Sequence, residues 1–300
     1  MKIAFVHSGK AYLPEIKAYV RYFNAQEGYE AEELFADDKE SIKSYNVIWR
    51  FQGVDLQGTS KDQILIHEYN SLSVGRFHSQ KDLLKKLLNV KPQGRIFLNQ
   101  AVKDKYNFRD KVPYLLRDMG IAEEFFLKQE QKDYDFVYIG TMAASRSIAV
   151  FLDHLIKHFP KYKVLLIGEP SAELYQQYSK FSNITFTGRL PYAEMPQVAS
   201  KATYGLNLVP DVFPYNIQTS TKLLEYCALG LKVISTDYTW AREFQNQVQG
   251  KFFFVNKDRS NFKPEQLERF DFQTPDVRAY TWQNILQRAG LLAFLESLKR

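Results

Sequence analysis

Three hundred residues, 45% hydrophobic and 25% charged, describe an ordinary globular chain long enough for two packed domains, and they exclude a disordered or fibrous protein. The single cysteine, Cys227, excludes an internal disulfide and any multi-thiolate zinc site. The net charge of +6 suits an acidic partner, but the excess is local, with ten Lys or Arg against three Asp between Lys81 and Arg117.

The opening "MKIAFVHSGK" has too short an apolar run for a secretory leader, and no run approaches the roughly 18 residues of a membrane span. A cytoplasmic protein in a reducing compartment is expected. Strand-length apolar runs then alternate with helix-period segments to the end of the chain, which predicts α/β architecture with parallel sheets. In the first part the predicted strands are "KIAFVHS", "NVIWRF", "ILIHEY" and "RIFLN", with helices over Pro14 to Asn24 and Lys81 to Leu88. The second of these helices, within "KDLLKKLLNVK", puts Leu83, Leu84, Leu87 and Leu88 on one face and Lys81, Lys85 and Lys86 on the other. Two readings follow: leucines in the core with a solvated lysine face, or lysines docking on an anionic membrane surface.

The polar stretch "EEFFLKQEQKDYD" breaks the pattern and is the candidate linker between domains 1–131 and 132–300. Beyond it come "DFVYIG", a helix from Ser145 to Phe159, "KVLLIG", a helix near Ser171 to Tyr178, "ITFTG", a helix near Met195 to Ala202, and "YGLNLV". The helix "TSTKLLEYCALG", then "KVISTD" and "FFFVN", follow. The last segment, about 282–300, reads as one long closing helix that could pack back on the first domain.

Gly140, Gly168 and Gly188 each end a strand, where glycine permits a sharp turn and a close ligand approach. Ligands of open parallel sheets bind outside the carboxyl ends of the strands, so the three glycines mark a candidate binding edge. "TSTKLLEYCALG" carries Lys222 in its first turn, against the helix dipole unless an anion is present. Thr219 or Ser220 would cap this helix and Gly230 would end it. Arg146, at the start of the first helix of the second half, is the natural second cation, and a diphosphate would neutralise both. Glu225 lies three residues beyond Lys222, either as an ion-pair partner or as an acceptor for a ribose diol. In the first half, His7, Gly9 and Lys10 follow the first strand, and His67 and Glu68 end "ILIHEY". A His or Glu there could take a proton from an attacking hydroxyl, or be structural.

Three temptations are declined. "DYD" (Asp133 to Asp135) imitates a metal-binding pair but precedes its strand. His154 and His158 share a polar helix face, and no GxGxxG or P-loop follows any strand.

"YIG" followed by a basic residue, "KVLLIGEPS", "NITFTGRLPYAEMPQVASKATYGLNLVP" and "TSTKLLEYCALGLKVISTD" together resemble the donor half of GT-B glycosyltransferases of the group-one, family-four superfamily. The resemblance covers Asp135 to Asp237, while the first half is similar in layout only. It implies two Rossmann-like domains facing across a cleft and a sugar nucleotide as co-substrate, a UDP-sugar in the first instance, with no metal or other cofactor. By that likeness Arg146 and Lys222 hold the diphosphate and stabilise its departure. Glu225 holds the ribose, and Arg189 and Leu190 lie by the base. The backbone and side chains of Asn216 and Thr219 to Thr221 (Thr219, Ser220, Thr221) line the donor, with Gly9 approaching from the first domain.

The implied reaction moves a hexose to a hydroxyl acceptor on a glycan, glycolipid or glycoprotein, with retention favoured; no nucleic-acid partner is expected. Two departures stand out. A second Glu common eight residues before the matched one is Ile217 here, and Thr141 stands where a first-loop Arg often follows the glycine. A GT-B subunit that binds without catalysing, supporting a partner, is the alternative.

Overall fold

A computed structural model describes residues 1–9, 13–51, 54–73, 78–142 and 148–299. The chain divides into two compact units, Met1–Gly120 with Tyr280–Arg300, and Ile121–Ala279. The unit boundary thus falls ahead of the sequence-derived 131/132. Phe125, inside the supposed linker, is fully buried and packs on Tyr192 with ring centroids 5.1 Å apart, so this stretch is part of the second unit.

The first unit contains β1 (Lys2–His7), α1 (Pro14–Asn24), β2 (Glu30–Phe35), α2 (Lys39–Ile42), β3 (Val47–Phe51), β4 (Ile64–Tyr69), α3 (His78–Leu88), β5 (Gly94–Phe97), α4 (Gln100–Tyr106) and β6 (Tyr114–Leu116). Its parallel sheet has the order β2-β1-β3-β4-β5-β6. The central strands β1, β3 and β4 are the apolar runs of the sequence. The edge strands β2 and β6 escaped the reading: "EAEELF" exposes most of its residues and β6 has three residues. Edge strands are half-solvated, so hydrophobic runs do not mark them. Phe5, Tyr19, Phe23 and Trp49 are all fully buried and fill the space between α1 and the sheet.

The second unit contains β7 (Tyr134–Ile139), α5 (Ile148–His158), β8 (Val164–Ile167), α6 (Ala172–Tyr178), β9 (Ile184–Gly188), α7 (Met195–Ala199), β10 (Ala202–Asn207), α8 (Thr221–Ala228), β11 (Lys232–Thr236), α9 (Thr239–Gln247), β12 (Phe253–Val255) and α10 (Pro264–Arg269). Its parallel sheet runs β12-β11-β10-β7-β8-β9, the doubly wound order with its reversal between β7 and β10.

The closing segment is two helices, α11 (Trp282–Arg288) and α12 (Leu291–Ser297), broken at Gly290 with φ 72°. One continuous helix was expected; a left-handed residue cannot continue a right-handed helix. Both helices belong to the first unit. A Cβ on Gly120 would lie 2.4 Å from the Trp282 ring, and one on Gly94 would lie 2.7 Å from Leu298, so each glycine is a seat for this segment.

The largest departure from expectation is α3. Leu83, Leu84, Leu87 and Leu88 are 54%, 49%, 71% and 46% exposed, whereas Asp82 is buried. The polar face points inward because it is satisfied there. Asp82 accepts the Ser73 N–H at 3.1 Å and the Tyr106 hydroxyl at 3.3 Å. Lys85 donates to Ser73 Oγ at 3.0 Å, and Lys86 to the Asn107 carbonyl at 2.6 Å. Beneath them Tyr69, Phe97, Tyr106 and Phe108 already close the local core, leaving no room for the leucines.

Candidate functional site: the carboxyl edge of the second sheet

The strand-end glycines meet. The Gly140 N–H donates to the Ile167 carbonyl at 2.8 Å and the Gly168 N–H to the Gly188 carbonyl at 3.0 Å. Gly140 and Gly168 have φ of 132° and 138°, conformations open essentially to glycine alone. A Cβ on Gly168 would lie 2.3 Å from the Gly140 carbonyl oxygen, so the edge of β7 and β8 is bare backbone.

Helix α8 delivers its side chains to this edge. Ser220 is the N-cap, its hydroxyl accepting the Leu223 N–H at 3.4 Å and donating to Asn207 Oδ1 at 2.7 Å. Asn207, fully buried at the end of β10, donates in turn to Ser235 at 2.9 Å and Tyr238 at 3.0 Å. Tyr226 fixes the helix body. Its ring lies on Gly205, where a Cβ would be 2.4 Å away, and its hydroxyl accepts the Ile139 N–H at 2.9 Å. Leu223, Leu224 and Tyr226 are fully buried, each a contribution of about 1.5–3 kcal/mol if removed from water. The Leu231 N–H closes the far end on the Tyr226 carbonyl at 2.9 Å, with Gly230 at φ 69°.

Held this way, Lys222 lies across Gly140. A Cβ at that glycine would be 2.3 Å from Lys222 Cε and 2.9 Å from Nζ. The ammonium therefore sits at the carboxyl end of β7, at the reversal of the strand order, where the N-terminal turn of α8 and bare backbone converge. Glu225, one turn on, is buried, and the Tyr192 hydroxyl donates to its Oε1 at 2.8 Å. Burial pushes the Glu225 carboxyl up to about 7; the Tyr192 hydrogen bond and the Lys222 charge pull against that rise. Among the described residues the site brings together the Lys222 ammonium and a carboxyl raised by burial.

The loop before α8 adds unsatisfied groups. Asn216 Nδ2 donates to Asp211 at 3.1 Å, but Asn216 Oδ1 and Gln218 Nε2 are buried with no partner among the described residues. Such atoms are costly unless a ligand or water meets them. Thr219 and Thr221 are half-buried beside the cap, Arg189 is exposed and Leu190 half-buried just after Gly188. Arg146 and Lys10 fall outside the described residues. Sequence reasoning missed Tyr192, Asn207 and Tyr226. A lone polar residue ending an apolar strand was the one available signal for Asn207.

The metal temptations have other employment. Asp133 lies 3.6 Å from Lys201, and Asp135 accepts the Lys163 N–H at 2.7 Å, at the amino end of β7. His154 Nε2 is 2.6 Å from the Phe262 carbonyl. Among the described residues no cluster of three His, Cys, Asp or Glu could hold a metal ion.

In the first unit the catalytic expectation for His67 and Glu68 is corrected. Both are fully buried. Glu68 accepts the Trp49 indole N–H at 2.7 Å and the Tyr19 hydroxyl at 3.1 Å, and it is paired with Arg117. A carboxylate so committed and shielded cannot receive a proton from an entering hydroxyl. His67 Nε2 is 2.9 Å from Asp55 Oδ2, which also accepts from Arg50 at 2.8 Å. Burial would raise the Asp55 carboxyl, but hydrogen bonds from His67 and Arg50 outweigh it and hold it at about 2. His7, Arg50, Asp55 and Gln57 line a 380 Å³ pocket at the carboxyl ends of β1 and β3, where the first sheet reverses its order. Gly9, with φ 72°, donates its N–H to His7 Nδ1 at 3.2 Å beside that pocket.

Two parallel six-stranded sheets with flanking helices, one of them carrying a cation over a glycine edge, define the GT-B class of α/β protein. Solved structures agree on the fold over the whole chain. HepE of Anabaena in complex with UDP-glucose superposes with a TM-score of 0.67 at 13% identity, covering 99% of this chain and 98% of that one. AviGT4, a glycosyltransferase involved in avilamycin A biosynthesis, gives 0.64 at 14% identity over 99% and 98%. The UDP-GlcNAc 2-epimerase of Methanocaldococcus jannaschii gives 0.57 at 11% over 97% and 100%. No curated protein sequence matches the chain. Residues 133–266, a stretch of the second unit that includes Lys222 and Glu225, match the family model "Glycosyl transferases group 1".

Proposed function

We propose that the protein is a glycosyltransferase that moves a hexose from a UDP-sugar to a hydroxyl acceptor, without a metal. One observation carries the reading: Lys222 lies across Gly140 at the N-terminal turn of α8, with the buried Glu225 one turn behind. A diphosphate at that place would meet backbone N–H groups, a helix N-terminus and an ammonium. Glu225 would accept from the ribose, and the orphaned Asn216 Oδ1 and Gln218 Nε2 would meet sugar hydroxyls. The UDP-glucose bound by HepE supports the choice of uridine.

In the reaction the bond between the anomeric carbon and the diphosphate oxygen breaks, and the acceptor oxygen bonds to that carbon and gives up its proton to the departing diphosphate. Negative charge grows on the departing diphosphate, where Lys222 is already placed, with Arg146 as the second cation the sequence offers. The pocket of His7, Arg50 and Asp55 supports reading the first unit as the one that takes the acceptor. A glycan or glycolipid acceptor of a bacterial surface, and retention of configuration, belong to the same reading.

Ile217 favours one alternative, a subunit that binds nucleotide without turnover. Incubation with a panel of UDP-, GDP-, ADP- and dTDP-sugars, following nucleotide release, separates the two. Release from a UDP-hexose that Lys222→Ala abolishes supports the transferase; binding without release from any donor supports the alternative.

A further inference from the structure

We infer that α3 docks on an anionic lipid bilayer, with its leucines entering the interface and the exposed Lys81 and Lys91 at the headgroups. With successive residues about 100° apart, Leu83, Leu87, Leu84 and Leu88 sweep about 140° of the helix surface. All four are about half exposed or more, with Leu87 at 71%. Lys86 borders this stripe on one side and Lys81 on the other, while the buried Asp82 and half-buried Lys85 anchor the opposite face to the protein. An apolar stripe edged by cations and fixed outward is the arrangement of a helix lying in a membrane interface.

The stripe is continued by a second segment. The Val90 N–H donates to the Asp55 carbonyl at 2.9 Å and the Asp55 N–H to Asn89 Oδ1 at 2.8 Å, which sets Val54 and Leu56, 51% and 66% exposed, beside the end of α3. Contiguous apolar surface of this kind on a folded protein marks an interaction site.

Charge selects the occupant. The exposed Lys81 lies at the start of the stripe and the exposed Lys91 just past its end, and an anionic bilayer offers acyl chains for the leucines and phosphates for these cations at once. A second copy of the chain would bring the same positive charge to the contact and repel it. Among the described residues no helix is long and apolar enough to cross a membrane, so the inferred mode lies on the surface. Val54 and Leu56 also line the 380 Å³ pocket at the end of β1 and β3, so docking would bring that pocket to the headgroup layer.

The test is sedimentation of the full chain with vesicles of phosphatidylcholine, with and without phosphatidylglycerol. The expected result is binding to the anionic vesicles that weakens with salt. The quadruple variant Leu83→Gln, Leu84→Gln, Leu87→Gln, Leu88→Gln should bind at least about tenfold more weakly with an unchanged thermal melt, since these side chains already touch water. Lys81→Glu with Lys91→Glu should weaken binding to anionic vesicles and leave the neutral ones unaffected. An environment-sensitive label at Leu87→Cys should shift to the blue on anionic vesicles. The inference is overturned if the parent stays in solution, if the leucine variant sediments like the parent, if the label does not shift, or if sedimentation velocity shows a dimer that the leucine variant abolishes.

Discussion

Lys222 and Gly140, eighty-two positions apart in sequence, are in van der Waals contact in the fold: the lysine stem occupies the space that any side chain at 140 would need. The glycine thus has two duties, a φ of 132° that ends β7 and an open floor for the ammonium. Gly140→Ala should displace Lys222 and weaken binding of UDP by at least about tenfold, with an added backbone strain of about 1–3 kcal/mol. Calorimetric titration with UDP, alongside a thermal melt, checks both effects.

The lysine itself should matter little to stability. Removing Lys222 relieves a cation from the positive end of a helix dipole and also takes its charge away from Glu225, two opposed effects, so Lys222→Ala should shift the melting temperature by no more than about 2 °C without ligand. Lys222→Arg should recover part of the nucleotide affinity, since charge is kept but the fork must fit over Gly140.

Glu225 gives a pH signature. Its carboxyl is raised from 4.5 to about 7, first by burial, so the folded state holds a proton that the unfolded chain releases. Stability from this group is therefore full below about 4.5 and declines as pH rises toward 7, by a few kcal/mol in all. Glu225→Gln should remove that part of the slope, seen in urea unfolding between pH 4.5 and 7. Tyr192→Phe removes a hydrogen bond that pulls the carboxyl down, so it should carry the decline to higher pH.

The Glu68 and Arg117 pair predicts the opposite pattern from a catalytic residue. Glu68→Gln leaves a buried guanidinium partly uncompensated and should cost about 3 kcal/mol or more in urea unfolding. Nucleotide affinity, which the proposed function assigns to the second unit, should stay at the parent value.

Much of the fold of the second unit was legible because its central strands are buried on both faces and read as continuous apolar runs, such as "FVYIG" and "VLLIG". Glycines at strand ends and the capped helix from Thr221 followed from local backbone chemistry. What escaped depends on partners distant in sequence. The inward turn of the polar face of α3 needs Ser73, Tyr106 and Asn107 in place around Asp82, Lys85 and Lys86. Nothing local to "KDLLKKLL" announces those partners, so the pattern alone sent the leucines inward. The duty of Glu68 was hidden for the same reason: a carboxylate at a strand end reads as reactive until Arg117, Trp49 and Tyr19 are seen around it. Tyr192 and Glu225, thirty-three residues apart, meet only in the fold.

The central claim, that the N-terminal turn of α8 and the glycine edge of β7 hold a nucleoside diphosphate through Lys222, is tested most directly by calorimetric titration of UDP into the parent chain and into Lys222→Ala. The account expects one UDP bound per parent chain and at least about a tenfold loss of affinity in the variant, with melting temperatures alike in the absence of ligand. Equal affinity in the two proteins, or no heat of binding to the parent with UDP, GDP, ADP or dTDP, would contradict it.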